Sequence, residues 1–160
     1  PEDLSNDVDV REGLDETLLL LSHRMREITV ERRYDPVPMI EARAGELNQV
    51  WTNLIVNAIQ VMEGPGTLEV VTDVSEAGFV RVQVIDSGPG IPPGDVDRIF
   101  DLAFTTKQGR VDFGLGLGLR IAQDIVARHR GIIGVDSVPG RTVFSVTLPT
   151  KQAANGELTE

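Results

Sequence analysis

No cysteine occurs anywhere in the 160 residues, so disulfides, thiol nucleophiles and thiolate-held zinc are excluded. Histidine is nearly absent: two residues are too few for a His-rich transition-metal site. Long apolar runs are missing as well. Leu18–Leu21 is the notable one, far short of the roughly 20 residues that a membrane-spanning helix needs. Positive charge is scarce, with 15 Lys and Arg against 25 Asp and Glu, a formal net charge of -10. That balance argues against a general binder of nucleic-acid backbone. The N-terminus, Pro1-Glu2-Asp3, is acidic and does not read as a signal peptide, although the chain can still be a fragment of a membrane protein. What is present suits one domain with a sizeable core: 41% hydrophobic and 25% charged residues.

Residues 1–8 are polar and expected to be frayed. Asp9 reads as the cap of a first helix, with Glu12 three residues on, and Val10, Leu14, Leu18, Leu21 and Met25 recur at helical spacing. Ile28–Tyr34 reads as a strand and Asp35-Pro36-Val37-Pro38 as a turn. Gly45–Glu63 carries a long helical pattern, stopped by Gly64-Pro65-Gly66. Thr67–Val74 and Phe79–Ile85 form one expected hairpin, Ile132–Asp136 and Thr142–Leu148 another. Between the two, Asp95–Leu102 reads as a short helix and Thr105–Gly116 as a mobile loop. A helix is expected from about Gly116 to Arg130, ended by Gly131. Residues 150–160 form a polar tail, leaving 9–149 as the domain. The order of elements predicts an α+β sandwich, a sheet with helices on one face.

Five motifs follow one another within about a hundred residues and together describe an adenine-nucleotide pocket. They are Asn53-Leu54-Ile55-Val56-Asn57-Ala58, then Asp86-Ser87-Gly88-Pro89-Gly90, then Phe100 with Phe104-Thr105-Thr106-Lys107, then Gly114-Leu115-Gly116-Leu117-Gly118-Leu119, and Pro139-Gly140-Arg141-Thr142-Val143-Phe144. Each is weak alone; the ordered set resembles the catalytic, ATP-binding domain of sensor histidine kinases, over roughly residues 8–150. The resemblance implies a two-layer α+β sandwich of the Bergerat type, a mixed sheet covered by about three helices with a flexible ATP lid. It also implies Mg²⁺-dependent ATP binding and transfer of the γ-phosphate to a histidine on a separate helical dimerisation domain, with a response regulator downstream.

The residues themselves bear on this chemistry. Glu46, Gln49, Asn53, Asn57 and Gln60 make a polar stripe on one helix face. Such stripes are usually solvated, but asparagine is a poor helix former, and two of them a turn apart point to binding. Asn57 offers a neutral amide oxygen to a hard cation, and the resemblance makes it the Mg²⁺ ligand. Asn53, one turn earlier, is placed to face the terminal phosphate. Related gyrase-type ATPases and mismatch-repair proteins hold a water-activating Glu there; an Asn is no general base near neutral pH. A self-contained ATPase is therefore disfavoured, and the attacking group is expected from another domain.

Val80, Val82 and Val84 alternate inward and Asp86 continues that face. A buried lone carboxylate is costly unless it accepts a hydrogen bond, as from the exocyclic amine of adenine; guanine presents a carbonyl there. Asp86 thus predicts ATP over GTP, although an ordinary Asp turn is the plain alternative. Gly88 and Gly90 permit close backbone approach, with Ile91 beside them at the base. The resemblance assigns Phe104, Thr105, Thr106 and Lys107 to the lid at the nucleotide. Lys107 is the leading cation for the phosphates and Arg110 the second, with solvated loop charges as the alternative. Phe100 and Phe104 also read as packing anchors.

Gly114, Leu115, Gly116, Leu117, Gly118 and Leu119 are expected to bring bare N–H groups at a helix start to the phosphates. A dinucleotide fingerprint would need a strand before these glycines, and residues 105–113 do not read as one. Leu117, Ile121, Ala122, Ile125 and Val126 anchor the helix, while Thr142 lines the adenine pocket or belongs to a plain hairpin. His23 lacks the acidic and proline companions of a phosphoacceptor and reads as a surface residue; His129 suits a helix C-terminal dipole.

Several positions depart from the family's pattern: Gln60 carries no charge, Leu102 and Ala103 alter the lid, Leu115 stands between the glycines, and Arg141 precedes Thr142. The phosphoacceptor helix is missing, so the chain reads as a catalytic fragment, monomeric alone, inactive in transfer by itself, and drawn from a homodimeric cytoplasmic or membrane-anchored sensor. A nucleotide-binding regulatory module with degenerate kinase activity is the alternative.

Overall fold

The computed structural model describes residues 5–101 and 113–150, the side chains of 113–117 excepted. The elements run β1 (Asn6–Val8), α1 (Val10–Leu20), β2 (Ile28–Tyr34), β3 (Ile40–Ala42), α2 (Ala44–Met62), β4 (Gly66–Val74), β5 (Val80–Asp86), α3 (Phe113–Arg128), β6 (Ile132–Val138) and β7 (Arg141–Leu148). Short 3₁₀ turns sit at Ser22–Arg24 and Pro93–Arg98. The main sheet is ordered β2-β4-β5-β7-β6, with β2 parallel to β4 and the other pairs antiparallel. This is the expected mixed sheet with its helices on one face.

Asp9 caps α1 as expected, but its carboxylate accepts from the N–H of Arg11 and pairs with the Arg11 guanidinium rather than forming a box with Glu12. Val10, Leu14 and Leu18 then face the core. On α2 the apolar stripe of Leu47, Val50, Trp51, Leu54, Ile55 and Ala58 is buried. It packs over the inward residues of the central strands, Leu68 and Val70, Val80, Val82 and Val84, Phe144 and Val146. Full burial of one such aliphatic side chain stabilises by about 1.5–3 kcal/mol, so this layer fixes how α2 lies on the sheet.

Four boundaries differ from the sequence reading. Asn6–Val8, expected to be frayed, pairs antiparallel with β3, because Val8 is partly buried against the core and holds the strand down. The short element after β5 is a 3₁₀ turn at Pro93–Arg98 rather than a helix over Asp95–Leu102, opened by the Asp95 N–H donating to the Pro92 carbonyl three residues back. α3 begins at Phe113, so the glycines expected ahead of it lie within its first two turns, interleaved with Leu115, Leu117 and Leu119, good helix formers that offset the glycine cost. Its end also differs: Arg130, at φ 63°, is the left-handed residue, and Gly131 donates back to the Val126 carbonyl.

Candidate functional site: a nucleotide pocket between sheet end and helix face

Two elements converge at one end of the sheet. The last residue of β5 is Asp86, 2% exposed, and directly opposite it on β7 stands Thr142, 4% exposed. The Asp86 carboxylate accepts the Gly88 N–H at 2.8 Å. Burial pushes its pKa up to about 6, against the lowering effect of that single hydrogen bond. The group is therefore a desolvated acceptor looking for a donor.

The loop after Asp86 is held close to the sheet. Gly90 has φ +93°, and a Cβ there would lie 2.6 Å from the Val138 carbonyl oxygen. Only glycine fits both the angle and the approach. A Cβ at Gly88 would meet Asp86 Oδ1 at 2.9 Å and Val61 Cγ2 at 3.3 Å, so this glycine lies between the carboxylate and the last turn of α2. Ser87 stitches the start of the loop to β4: its hydroxyl accepts the Thr67 N–H at 2.9 Å. Ile91 donates its N–H to Ser137 Oγ at 2.8 Å while its side chain rests against the core. Ser137 also contacts Thr142 Oγ1 at 2.7 Å. Ser137 was not singled out from sequence. The only signal for it is the pairing of β6 with β7, which places it opposite Thr142.

Along α2 the polar stripe divides. Glu46 ion-pairs with Arg43 and with Arg128 at the far end of α3, away from the adenine end. Gln49 donates to Asn53 Oδ1 at 2.7 Å, and Asn53 Nδ2 donates to the Gly118 carbonyl at 2.9 Å. Asn53 and the glycine motif are thus brought together, with the Asn53 amide engaged by protein at both atoms. Asn57 is 8% exposed. Gln60 Oε1 is buried with no hydrogen-bond partner among the described residues. Asn53 to Gln60 spans about 10 Å of helix, from Gly118 on one side to the Gly88 loop on the other.

Leu119, expected at the nucleotide, is 6% exposed in the hydrophobic core, because the helical period turns it toward the sheet. Gly114, Leu115, Gly116 and Leu117 have helical backbone. Gly118 is the sixth residue of α3, so its N–H lies past the first turn, whose amides would suit a phosphate. Phe104, Thr105, Thr106, Lys107 and Arg110 fall outside the described residues. His129, expected to serve the helix dipole, has another use. Its Nδ1–H donates to the Ile125 carbonyl at 3.0 Å, and its Nε2 accepts the Arg43 N–H at 3.1 Å. A backbone N–H can only donate, so the ring is neutral and caps the start of α2.

The site fits a magnesium nucleotide. Its donor set toward a cation is amide oxygen only, suited to a hard ion that stays partly hydrated, and Gln60 presents an orphaned acceptor beside Asn57. Groups of three or more His, Cys, Asp or Glu able to hold a metal on their own do not occur among the described residues.

A two-layer α+β domain with a buried carboxylate at a sheet end, facing an asparagine-bearing helix, defines an ATP-binding domain. The family of "Histidine kinase-, DNA gyrase B-, and HSP90-like ATPase" matches residues 42–152. The chain belongs to that family and within it is the catalytic, ATP-binding domain of the sensor histidine kinase type.

The sensory histidine kinase/phosphatase NtrB of Vibrio alginolyticus is 36% identical over 137 residues, 78% of this chain and 38% of that protein. The sensor histidine kinase ZraS of Escherichia coli (strain K12) is 37% identical over 146 residues, 89% of this chain and 30% of that protein. Among solved structures, the nucleotide-free catalytic domain of histidine kinase ThkA has a TM-score of 0.81 at 29% identity, covering 94% of this chain and 99% of that one. The chain spans about a third of the length of these curated relatives.

Proposed function

We propose that this domain binds Mg²⁺-ATP and donates the γ-phosphate to a histidine on a separate helical dimerisation domain. The observation that carries the reading is the Asp86–Thr142 pair, directly opposed across β5 and β7 and buried at the sheet end. Asp86 accepts the exocyclic amine of adenine and disfavours the guanine carbonyl. Asn57 would hold Mg²⁺, assisted by Gln60, and the ion when bound would offset phosphate charge in a chain of net charge -10. Phosphoryl transfer forms an N–P bond on the incoming imidazole and breaks the bond from Pγ to the ADP oxygen. Asn53 and the first turn of α3 position the phosphates, and Lys107 is the proposed cation of the lid. Asn53 is no general base for water, in keeping with a nucleophile supplied by the partner domain.

By the same reading the intact protein is a homodimeric two-component sensor whose phosphate passes to a response regulator. A solved complex of histidine kinase ThkA with response regulator TrrA supports that kind of partner. Among the described residues no helix is long and apolar enough to cross a membrane. We place the domain in the cytoplasm, free or attached to a membrane-bound sensor.

The test is phosphotransfer from ATP labelled at the γ-position to a supplied phosphoacceptor domain, with and without Mg²⁺. Labelling of a histidine that needs Mg²⁺ and fails with GTP is expected. ATP binding without transfer to any cognate acceptor would favour the regulatory reading instead, for which the uncharged Gln60 and the engaged Asn53 amide speak.

A further inference from the structure

Asp86 on β5, Thr142 on β7 and Ser137 on β6 are consecutive cross-strand partners, so their side chains form one row on the helix-side face. Direct partners across antiparallel strands place their Cβ atoms about 5 Å apart. The row begins with a buried carboxylate and ends with two hydroxyls in contact at 2.7 Å. One proton lies in that contact, and either hydroxyl can supply it. Ser137 Oγ already accepts the Ile91 N–H at 2.8 Å. A hydroxyl that accepts from an amide is polarised into a better donor. That polarisation favours Ser137 as the donor to Thr142 Oγ1, an arrangement that leaves the Thr142 proton over. Thr142 makes no hydrogen bond to Asp86 in the structure, so that proton is free for a third group.

We propose that Ser137 is a specificity-determining positioning residue, which orients the Thr142 hydroxyl to donate toward the purine edge beside Asp86. The inference rests on the ATP reading above and deepens it. The pocket then offers an acceptor, Asp86, next to a donor, Thr142. Adenine presents the complement: the amine at C6 donates and N1 accepts. Guanine presents the reverse, a carbonyl at C6 and N1–H, and mismatches both groups. Without Ser137 the Thr142 hydroxyl can rotate to accept as readily as donate, and the N1 half of the recognition is lost.

The test compares ATP with 1-deaza-ATP, in which N1 is replaced by C–H and the amine is kept. Affinities with Mg²⁺ are measured by calorimetry on the wild type, Ser137→Ala and Ser137→Thr, with GTP as a third nucleotide. One hydrogen bond of net value corresponds to about a threefold to tenfold preference for ATP over 1-deaza-ATP. The wild type and Ser137→Thr are expected to show it, and Ser137→Ala to fall to near equality. A merely structural role for Ser137 would weaken both nucleotides alike and leave the ratio unchanged. The ratio is also insensitive to the folded fraction of each preparation. An unchanged ratio in Ser137→Ala, or a wild type that prefers ATP to GTP yet ignores N1, overturns the inference and spares the ATP reading. A wild type that binds neither nucleotide, or both equally, overturns the ATP reading itself and the inference with it.

Discussion

The proposed adenine end and the proposed phosphate end of this pocket are built on different terms. At the adenine end the backbone does the holding. Asp86, Thr142 and Ser137 sit in strand register, and the Gly88–Ile91 loop is tied down by amide donors. At the phosphate end side chains on α2 do the work, and they are either engaged with protein, as at Asn53, or left with an orphaned atom, as at Gln60. One half is preorganised for its ligand, while the other must exchange contacts to take it. Preorganised groups add affinity cheaply, because little ordering remains to be done. The base should therefore supply selectivity, and the metal and phosphates should supply the change of state.

The largest break in this comparison is expected at Asn57. Asn57→Ala should abolish Mg²⁺-dependent transfer to a supplied phosphoacceptor domain and leave Mg²⁺-free binding of adenosine almost unchanged. Transfer at the wild-type rate would remove Asn57 from the proposed metal site.

Next comes Asp86→Asn. It should weaken ATP on the order of tenfold to a hundredfold, the worth of a charged hydrogen bond, and narrow the gap to GTP. The same substitution should raise the melting temperature of the nucleotide-free domain at pH 7. The folded state holds the Asp86 proton up to about pH 6, against an ordinary value of 3.8. The unfolded chain binds fewer protons in that window, so this group costs stability as pH rises through it and none of the cost is felt below it. At 1.36 kcal/mol per unit the full penalty is about 3 kcal/mol, which the neutral amide avoids. A nucleotide-free variant that melts lower at pH 7 than the wild type would contradict the burial argument.

A smaller effect is expected from Gly90→Ala. A left-handed alanine whose Cβ meets the Val138 carbonyl should cost about 1–3 kcal/mol and loosen the base without touching the α2 face. Denaturant unfolding reads the first effect, and the ratio of ATP to inorganic triphosphate affinity reads the second. The smallest is Asn53→Ala. Loss of the bond to the Gly118 carbonyl should lower stability by about 1 kcal/mol, measured by thermal unfolding. It should reduce transfer more than ATP binding.

The division between the two ends also explains what the sequence could disclose. Val80, Val82 and Val84 alternate toward the core, so the burial of Asp86 followed from the period of one strand, and the hairpins from local turn residues. Ser137 depends on β7 lying between β5 and β6, a long-range order that no local pattern carries. The parallel pairing of β2 with β4 was hidden for the same reason. On α2 the stripe of Asn53, Asn57 and Gln60 was legible from helical spacing, yet the Gly118 carbonyl that Asn53 meets belongs to α3, 65 residues away. The start of α3 is not legible locally, because glycine argues against helix while the leucines between the glycines favour it. His129 was legible as a helix-end residue, but its acceptor role required knowing where α2 begins.

That histidine has a mechanical consequence. Hydrogen bonds fasten α2 and α3 at two points, His129 to the amide of Arg43 and Asn53 to the carbonyl of Gly118, with the Glu46–Arg128 ion pair beside the first. The fastenings are ten residues apart along α2 and eleven along α3, about 15 Å on either helix, so the two rods run antiparallel with matched pitch between their rivets. Rods riveted twice cannot slide past one another. Should a phosphate claim the amide of Asn53, one rivet opens and the other becomes a pivot, and the glycine end of α3 gains an arc of travel while its far end stays in register.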